Sequence, residues 1–274
     1  ITVDLISAGS GELLTKIKAE KGNPRGDVVY FTNASFDADL SLYQSFKHPD
    51  HDLWPNQSVG KDLKYYATID TLYTLILNTK EMSRADAPKS WKELGDPKYK
   101  GKFLMANPAL SGSAYNQLAT FVQLYGWYLV EDIVANAVIV PKSRLAYSLV
   151  AKGEYPFGVT EETKAYVEAA KGFPTVSIYP TDGMPMMGAG TGIIKNAPNM
   201  KNAKLLTTFI GSKEGLDIVV NVRGRRVPRT DVKQPKGLPP ISTLKVLYDF
   251  DVVKAAASRD AYLKKFDEIF SKKN

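Results

Sequence analysis

Two long extended runs, set far apart, constrain the fold of this chain more than any other feature. From Lys64 to Thr79 the sequence is rich in Tyr, Thr, Ile and Leu. That is too β-branched for a comfortable helix and too long for one average strand, so it reads as a bent crossing segment. A second run, Thr175 to Pro180, continues through Asp182-Gly183, several methionines and Gly188, Gly190 and Gly192, and reads as the return crossing. The stretch between them is continuous and alternates strand with helix. A chain that leaves one body, builds a second and comes back implies a discontinuous first lobe of residues 1–78 and 186–274 and an inserted second lobe of 79–185. The hinge is then expected near 71–79 and 179–188. The chain's 274 residues leave room for two lobes of roughly 100–150 residues each. A cleft between lobes is the default ligand site.

The local patterns predict an α/β fold, each lobe a mostly parallel sheet flanked by helices. Ile1 to Ile6 reads as a strand, Gly11 to Glu20 as a helix with Leu13, Leu14 and Ile17 on one face, and Asp27 to Phe31 as a second strand. Strand, helix and strand in that order predict a parallel crossover with its ligand face at the carboxyl ends of the strands. The loops holding Gly9 and Ser10, and Thr32 and Asn33, fall there. In the middle unit, strands at Lys102–Ala106, Val138–Val140 and Phe157–Val159 each precede a helical pattern. Beyond the return crossing, Asn199–Ile210, Ser212–Asn221 and Arg259–Ser271 read as helices.

The turn Asn107-Pro108-Ala109-Leu110-Ser111-Gly112-Ser113-Ala114-Tyr115 opens directly into an apolar-periodic helix. Such a turn aims free backbone N–H groups and two hydroxyls at one point, which suits an anion. Ser113 also reads as a simple N-cap, and one residue can be both. The net charge of +7 favours capture of a small anion through encounter rate.

Other motifs point less sharply. Arg223, Arg225, Arg226 and Arg229 could hold phosphate or nucleic acid, or form a solvated turn. No nucleic-acid module accompanies them, and no nucleic-acid partner is expected. His48-Pro49-Asp50-His51-Asp52 gathers four potential metal ligands, but Pro49 prevents a regular helix and a surface loop is the plainer reading. Tyr65 and Tyr66 are adjacent, so in an extended segment they point to opposite faces and cannot chelate one ion. The chain has no cysteine, which excludes thiolate catalysis and Cys-ligated zinc. No Gly-x-Ser-x-Gly elbow or Walker-type Gly-Lys-Ser/Thr appears, and the paired carboxylates Glu161 and Glu162 are what remains for an enzyme. No metal, cofactor or catalytic residue is expected.

The residues also carry a family resemblance. Gly9-Ser10-Gly11-Glu12-Leu13-Leu14, Asp27-Val28-Val29, Leu77-Asn78-Thr79-Lys80, Trp91-Lys92-Glu93-Leu94, Asn107-Pro108 with Ser111 to Tyr115, Tyr179-Pro180 and Ser212-Lys213-Glu214-Gly215 occur in an order and spacing that span nearly the whole chain. In these the chain resembles the substrate-binding proteins of ABC importers, in the branch with ferric-ion, phosphonate and sugar-phosphate binders. The resemblance implies two α/β lobes closing on a ligand and a monomer in the periplasm, or outside the cell on a lipid anchor. It also implies delivery to a permease driven by a separate ATPase. It assigns Ser111, Gly112 and Ser113 to an anionic, phosphate- or phosphonate-bearing solute. Ser143, Thr160, Glu161 and Glu162 are further candidates, with Gly9, Ser10, Thr32, Asn33 and Thr71 from the first lobe. Glu161 and Glu162 could meet hydroxyl or amino groups of the solute, or merely favour a helix's first turn. Ferric-ion binders place adjacent tyrosines where this chain has Thr160-Glu161-Glu162-Thr163, so iron is the alternative ligand rather than the first. A ligand-sensing subunit or an enzyme on the same fold is the second alternative. Relatives begin with one more strand and helix, so the equivalent of Ile1–Asp4 is expected either as a second strand or as a strand that takes the first place itself.

Overall fold

A computed structural model describes residues 1–247 and 250–273. The chain forms two compact units. Unit 1 comprises Ile1–Thr71 and Met187–Lys236, and unit 2 comprises Leu72–Met186 with the stretch from Gly237 onward.

Unit 1 contains α1 (Ser10–Ala19), β1 (Val28–Thr32), α2 (Asn33–Asp37), β2 (Tyr43–Gln44) and the first half of β3 (Tyr66–Asn78). Ile17 of α1 is buried with Val29 and Phe31 of β1 and with Phe36, Leu42, Tyr43, Tyr65 and Ile194, and Leu13 and Leu14 pack on that cluster. The helical face read from the sequence is thus the face that is buried. The expected first strand does not form: residues 1–9 take no regular structure, and Ile1, Val3, Leu5 and Ile6 are exposed. An apolar run becomes a strand only where a neighbour completes its ladder, and none among the described residues does so. The expected parallel crossover is absent with it. Instead β1 pairs antiparallel with a strand from the returning chain, from Val28↔Ile193 to Thr32↔Ala189, and β2 joins the same strand antiparallel.

Unit 2 holds the second half of β3, then β4 (Phe103–Ala106), α3 (Gly112–Tyr125), α4 (Trp127–Asn136), β5 (Val138–Val140), α5 (Ser143–Ala151), β6 (Phe157–Glu161), α6 (Glu162–Ala170) and β7 (Thr175–Ile178). β4 runs parallel to both β5 and β6. β3 lies antiparallel to β6 on one edge and to β7 on the other. Helix α5 crosses this sheet so closely that a Cβ on Gly158 would lie 2.4 Å from the Ala146 carbonyl oxygen. Only glycine fits there.

The chain returns to unit 1 through β8 (Met184–Ile194), followed by α7 (Met200–Gly211) and α8 (Lys213–Arg223). β9 (Val246–Leu247) pairs parallel with the start of β8 inside unit 2. The last elements, α9 (Val252–Ala257) and α10 (Arg259–Lys273), belong to unit 2, whereas the sequence pattern grouped 186–274 with the first lobe. Their contacts explain the difference. Tyr115 and Ala119 of α3 share an apolar cluster with Ala255, Tyr262 and Leu263. Tyr115 donates its hydroxyl proton to the Ala255 carbonyl, and Trp127 meets Tyr262 edge-on at 5.5 Å between ring centres. Lys273 Nζ donates to the Val134 carbonyl at 2.7 Å and also to that of Ala137, which satisfies the end of α4. An amphipathic pattern says that a helix buries one face; it does not say against what.

Candidate functional site

Three neighbouring parallel strands of unit 2 end on one edge, and each runs straight into a helix. β4 leads to α3, β5 to α5 and β6 to α6, with β4 in the middle. Three helix starts therefore lie along the carboxyl edge of one parallel sheet, where free N–H groups and positive dipole ends accumulate.

The middle turn is the most fully built. Asn107 N–H donates to the Val140 carbonyl at 2.8 Å, tying the turn to the end of β5, and Asn107 Oδ1 accepts from Ala109 N–H at 2.8 Å. Ser111 is the N-cap of α3: its Oγ accepts from Ala114 N–H at 3.3 Å, and its carbonyl accepts from Tyr115 N–H at 2.9 Å. The hydroxyls of Ser111 and Ser113 lie 3.0 Å apart. Ser113 is thus not the cap, as the sequence allowed, but the second helical residue. The N–H groups of Gly112 and Ser113 fall in the first turn, where a helix has no acceptor of its own to offer. Gly112 has an ordinary negative φ, and a Cβ added to it would meet nothing within 4 Å. Neither strain nor packing demands glycine here. What glycine does is leave the approach to these N–H groups open.

Flanking this turn, Ser143 begins α5 with no side-chain cap before it. Thr160 is buried near the end of β6. Glu161 is the residue before α6, and its carboxylate pairs with Lys164 Nζ at 2.7 Å. Glu162 is only 1% exposed and turns inward, its Oε2 accepting from the Tyr179 hydroxyl at 2.9 Å and its carbonyl from Ser177 Oγ at 3.0 Å. The two adjacent glutamates therefore part company: Glu161 stays on the edge with Ser143 and the α3 turn, and Glu162 braces β7. Tyr73 was missed by sequence reasoning. It stands opposite Glu161 in the β3–β6 ladder, and its hydroxyl accepts from Asn116 Nδ2 at 3.1 Å, linking the strand to the first turns of α3. The readable signal was Asn116 three residues after Ser113, on the same helix face.

The candidates in unit 1 are placed separately. Gly9 caps α1, and its N–H is already taken by Glu12 Oε2 at 2.9 Å, with Ser10 as the first helical residue. A carboxylate of the chain itself thus occupies that helix start. Thr32 Oγ1 lies 2.9 Å from Ser35 Oγ. Asn33 begins α2, and its Oδ1 is buried without a hydrogen-bond partner. Thr71 Oγ1 accepts from Arg225 Nη1 at 3.4 Å.

The histidine loop is used internally. His48 is 1% exposed; its Nδ1 accepts from Asp50 N–H at 3.0 Å and its Nε2 faces the Thr208 carbonyl at 3.0 Å, so Nε2 carries the proton. Burial pushes its pKa below the usual imidazole value, against the Thr208 bond and the Asp50 charge, which favour the protonated ring. The Tyr66 hydroxyl accepts from His48 N–H at 3.1 Å and bonds His51 Nδ1 at 2.9 Å, while Asp50 is ion-paired with Arg229 at 2.8 Å. No group of three or more potential metal-binding His, Asp or Glu residues occurs among the described residues. Tyr65 donates instead to Asp37 at 3.1 Å, on the other side of β3 from Tyr66.

Comparison with known proteins gives this geometry a context. The family model described as bacterial extracellular solute-binding protein matches residues 1–243. An uncharacterized protein of Haemophilus influenzae is 30% identical over 97% of this chain and 82% of its own length. A putative 2-aminoethylphosphonate-binding periplasmic protein of Salmonella typhimurium is 25% identical over 85% of this chain and 71% of its own. Among solved structures, the periplasmic binding protein AfuA of Actinobacillus pleuropneumoniae, with fructose-6-phosphate bound, superposes with a TM-score of 0.79 at 26% identity, covering 99% of this chain and 91% of that one. Iron-bound HitA of Pseudomonas aeruginosa shares the fold, with a TM-score of 0.83 at 20% identity over 97% of this chain and 90% of that one. The Salmonella relative and AfuA are binding proteins by name, the former a putative one, and HitA is seen with iron bound. No helix among the described residues is long and apolar enough to cross a membrane.

Proposed function

This chain belongs to the bacterial extracellular solute-binding proteins, and from that premise we propose that it captures a small phosphate- or phosphonate-bearing solute for an ABC importer, with the oxyanion seated at the start of α3. The observation that carries this reading is the open turn Ser111-Gly112-Ser113 at the centre of three helix starts. Two N–H groups, two hydroxyls and a helix dipole meet there, each contributing on the order of 1 kcal/mol and more where water is excluded. Ser143 and Glu161 on either side would meet the body of the solute, Glu161 suiting a hydroxyl or an amino group. The aminoethylphosphonate and fructose-6-phosphate named for two relatives have this make-up, an oxyanion at one end and donor groups at the other.

Iron is the weaker assignment. A trivalent iron calls for hard anionic oxygens held together. At 160–163 the chain offers two glutamates already engaged by Lys164 and Tyr179, and the adjacent tyrosines elsewhere, Tyr65 and Tyr66, point apart. A periplasmic location and a permease with its ATPase follow from the transport role. Calorimetry of the desalted protein against inorganic phosphate, a hexose phosphate, aminoethylphosphonate and ferric citrate tests the assignment. Uptake of a phosphoryl or phosphonyl compound is the expected result. Tight iron binding with no response to any of the others would overturn the ligand class, and turnover of a compound would overturn the binding role.

A further inference from the structure

Helices α7 and α8 follow one another in unit 1 with only Ser212 between them. Each buries one face. Ala203 of α7 packs with Ile193 and Ala197, and Leu216 and Val220 of α8 pack with Trp54 and Tyr66. Their other faces carry large apolar side chains into solvent. Leu205 is 52% and Phe209 46% exposed on α7, and Ile218 is 50% and Val222 78% exposed on α8. Both pairs have i,i+4 spacing, so each helix presents a stripe. Single exposed apolar residues are ordinary on a monomer, whereas adjoining stripes of them mark a surface that another body covers.

The two stripes adjoin at the turn between the helices. A Cβ on Gly215, in the first turn of α8, would fall 2.3 Å from the carbonyl oxygen of Phe209 in the last turn of α7. Four residues before Leu205 stands Lys201, and four before Ile218 stands Glu214. Both are exposed, and neither has an ion-pair partner among the described residues. The neighbouring acid Asp217 is already taken by Lys213 at 2.7 Å. Along its stripe α7 thus carries Lys201, Leu205 and Phe209, and α8 carries Glu214, Ile218 and Val222. The steric order is the same and the charge at the head is opposite.

We propose that a second copy of this chain covers the face, in a two-fold dimer that lays α7 of each copy along α8 of the other. A two-fold axis along the bisector of the two helix directions makes that exchange whatever the angle between them. It brings Lys201 to Glu214, Leu205 to Ile218 and Phe209 to Val222 of the second copy, and each contact occurs twice. The apolar pairs supply affinity, and the charge pair fixes partner and register. Six side chains from each copy make a small interface, so the dimer is weak and depends on concentration. It stands in place of the monomer that the family resemblance implied. It is also independent of the solute, because the α3 turn lies in unit 2.

The test is sedimentation velocity of the full chain from micromolar to sub-millimolar concentration, at physiological ionic strength, which screens the net charge of +7 beyond about 8 Å. The parent should pass from monomer to dimer across that range. Lys201→Glu turns two attractive pairs into two repulsive ones and should raise the dissociation constant about tenfold, and Glu214→Lys should do the same. The double variant Lys201→Glu with Glu214→Lys should restore the parent's behaviour, which loss of structure alone would not produce. Leu205→Ser, at an exposed site, should weaken the dimer while melting like the parent, and calorimetric binding of solute should be unchanged throughout. A parent that stays monomeric over the whole range would overturn the self-pairing and leave the face to another protein. A dimer indifferent to Leu205→Ser, or one that the double reversal fails to restore, would overturn it equally.

Discussion

Replacing Ser113 by Asp sets binding and stability against each other. Ser113 is the second residue of α3, its hydroxyl 3.0 Å from that of Ser111. An aspartate there would hold a carboxylate about 4 Å from an anion bound at the turn, and at an effective dielectric of about 20 that repulsion is roughly 4 kcal/mol. Affinity for a phosphoryl solute should fall about a thousandfold, beyond ordinary calorimetric detection. The same carboxylate sits in the first turn of a helix that has no acidic residue there, where it should stabilise the empty protein by about 0.3–1 kcal/mol. Ligand-free melting should therefore rise slightly or stay level while binding disappears. Ser113→Asn, equal in shape and neutral, should keep most of the affinity. Unchanged binding in Ser113→Asp would remove the turn from the site, and a large fall in melting temperature would show that Ser113 serves packing instead.

Other perturbations probe the frame around the turn. Gly158→Ala would drive a methyl group to 2.4 Å from the Ala146 carbonyl oxygen. It should cost about 1–3 kcal/mol through overpacking, read as a lower denaturation midpoint, and an unshifted midpoint would contradict the close α5 crossing. Phe266 of α10 is fully buried, so Phe266→Ala should cost about 3–5 kcal/mol; a neutral result would mean that the carboxyl-terminal helix is not docked. His48 is held neutral, with a folded pKa below its unfolded value, so its contribution is intact at neutral pH and is lost as pH falls through about 6.5 toward the folded value. Melting temperature should drop between pH 7 and 5 by more in the parent than in His48→Gln, at up to about 1.4 kcal/mol per pH unit. A parent that is equally stable at both pH values would refute the neutral assignment.

Much of unit 2 was legible because its signals are local. The short apolar strands before Asn107, Pro141 and Thr160 and the periodic runs after them mark β4–α3, β5–α5 and β6–α6 directly, and with them the three helix starts. Legibility failed where the outcome depends on a partner. Ile1 to Ile6 has strand composition but no neighbouring ladder among the described residues, and α10 shows an apolar face without showing that α3 and α4 receive it. Glu161 and Glu162 are indistinguishable as letters, yet one faces the sheet edge and the other the Tyr179 hydroxyl. The arginine cluster divides in the same way, with Arg226 and Arg229 buried, Arg225 half-buried and Arg223 exposed.

Nitrogen–proton correlation spectra recorded while aminoethylphosphonate is added would observe the two backbone amides of the α3 turn directly. The amide signals of Gly112 and Ser113 should move downfield and by more than any others in unit 2, saturating together with the calorimetric heat. Binding that saturates while both signals stay in place would show that the oxyanion sits elsewhere, and the assignment of α3 as its seat would be wrong.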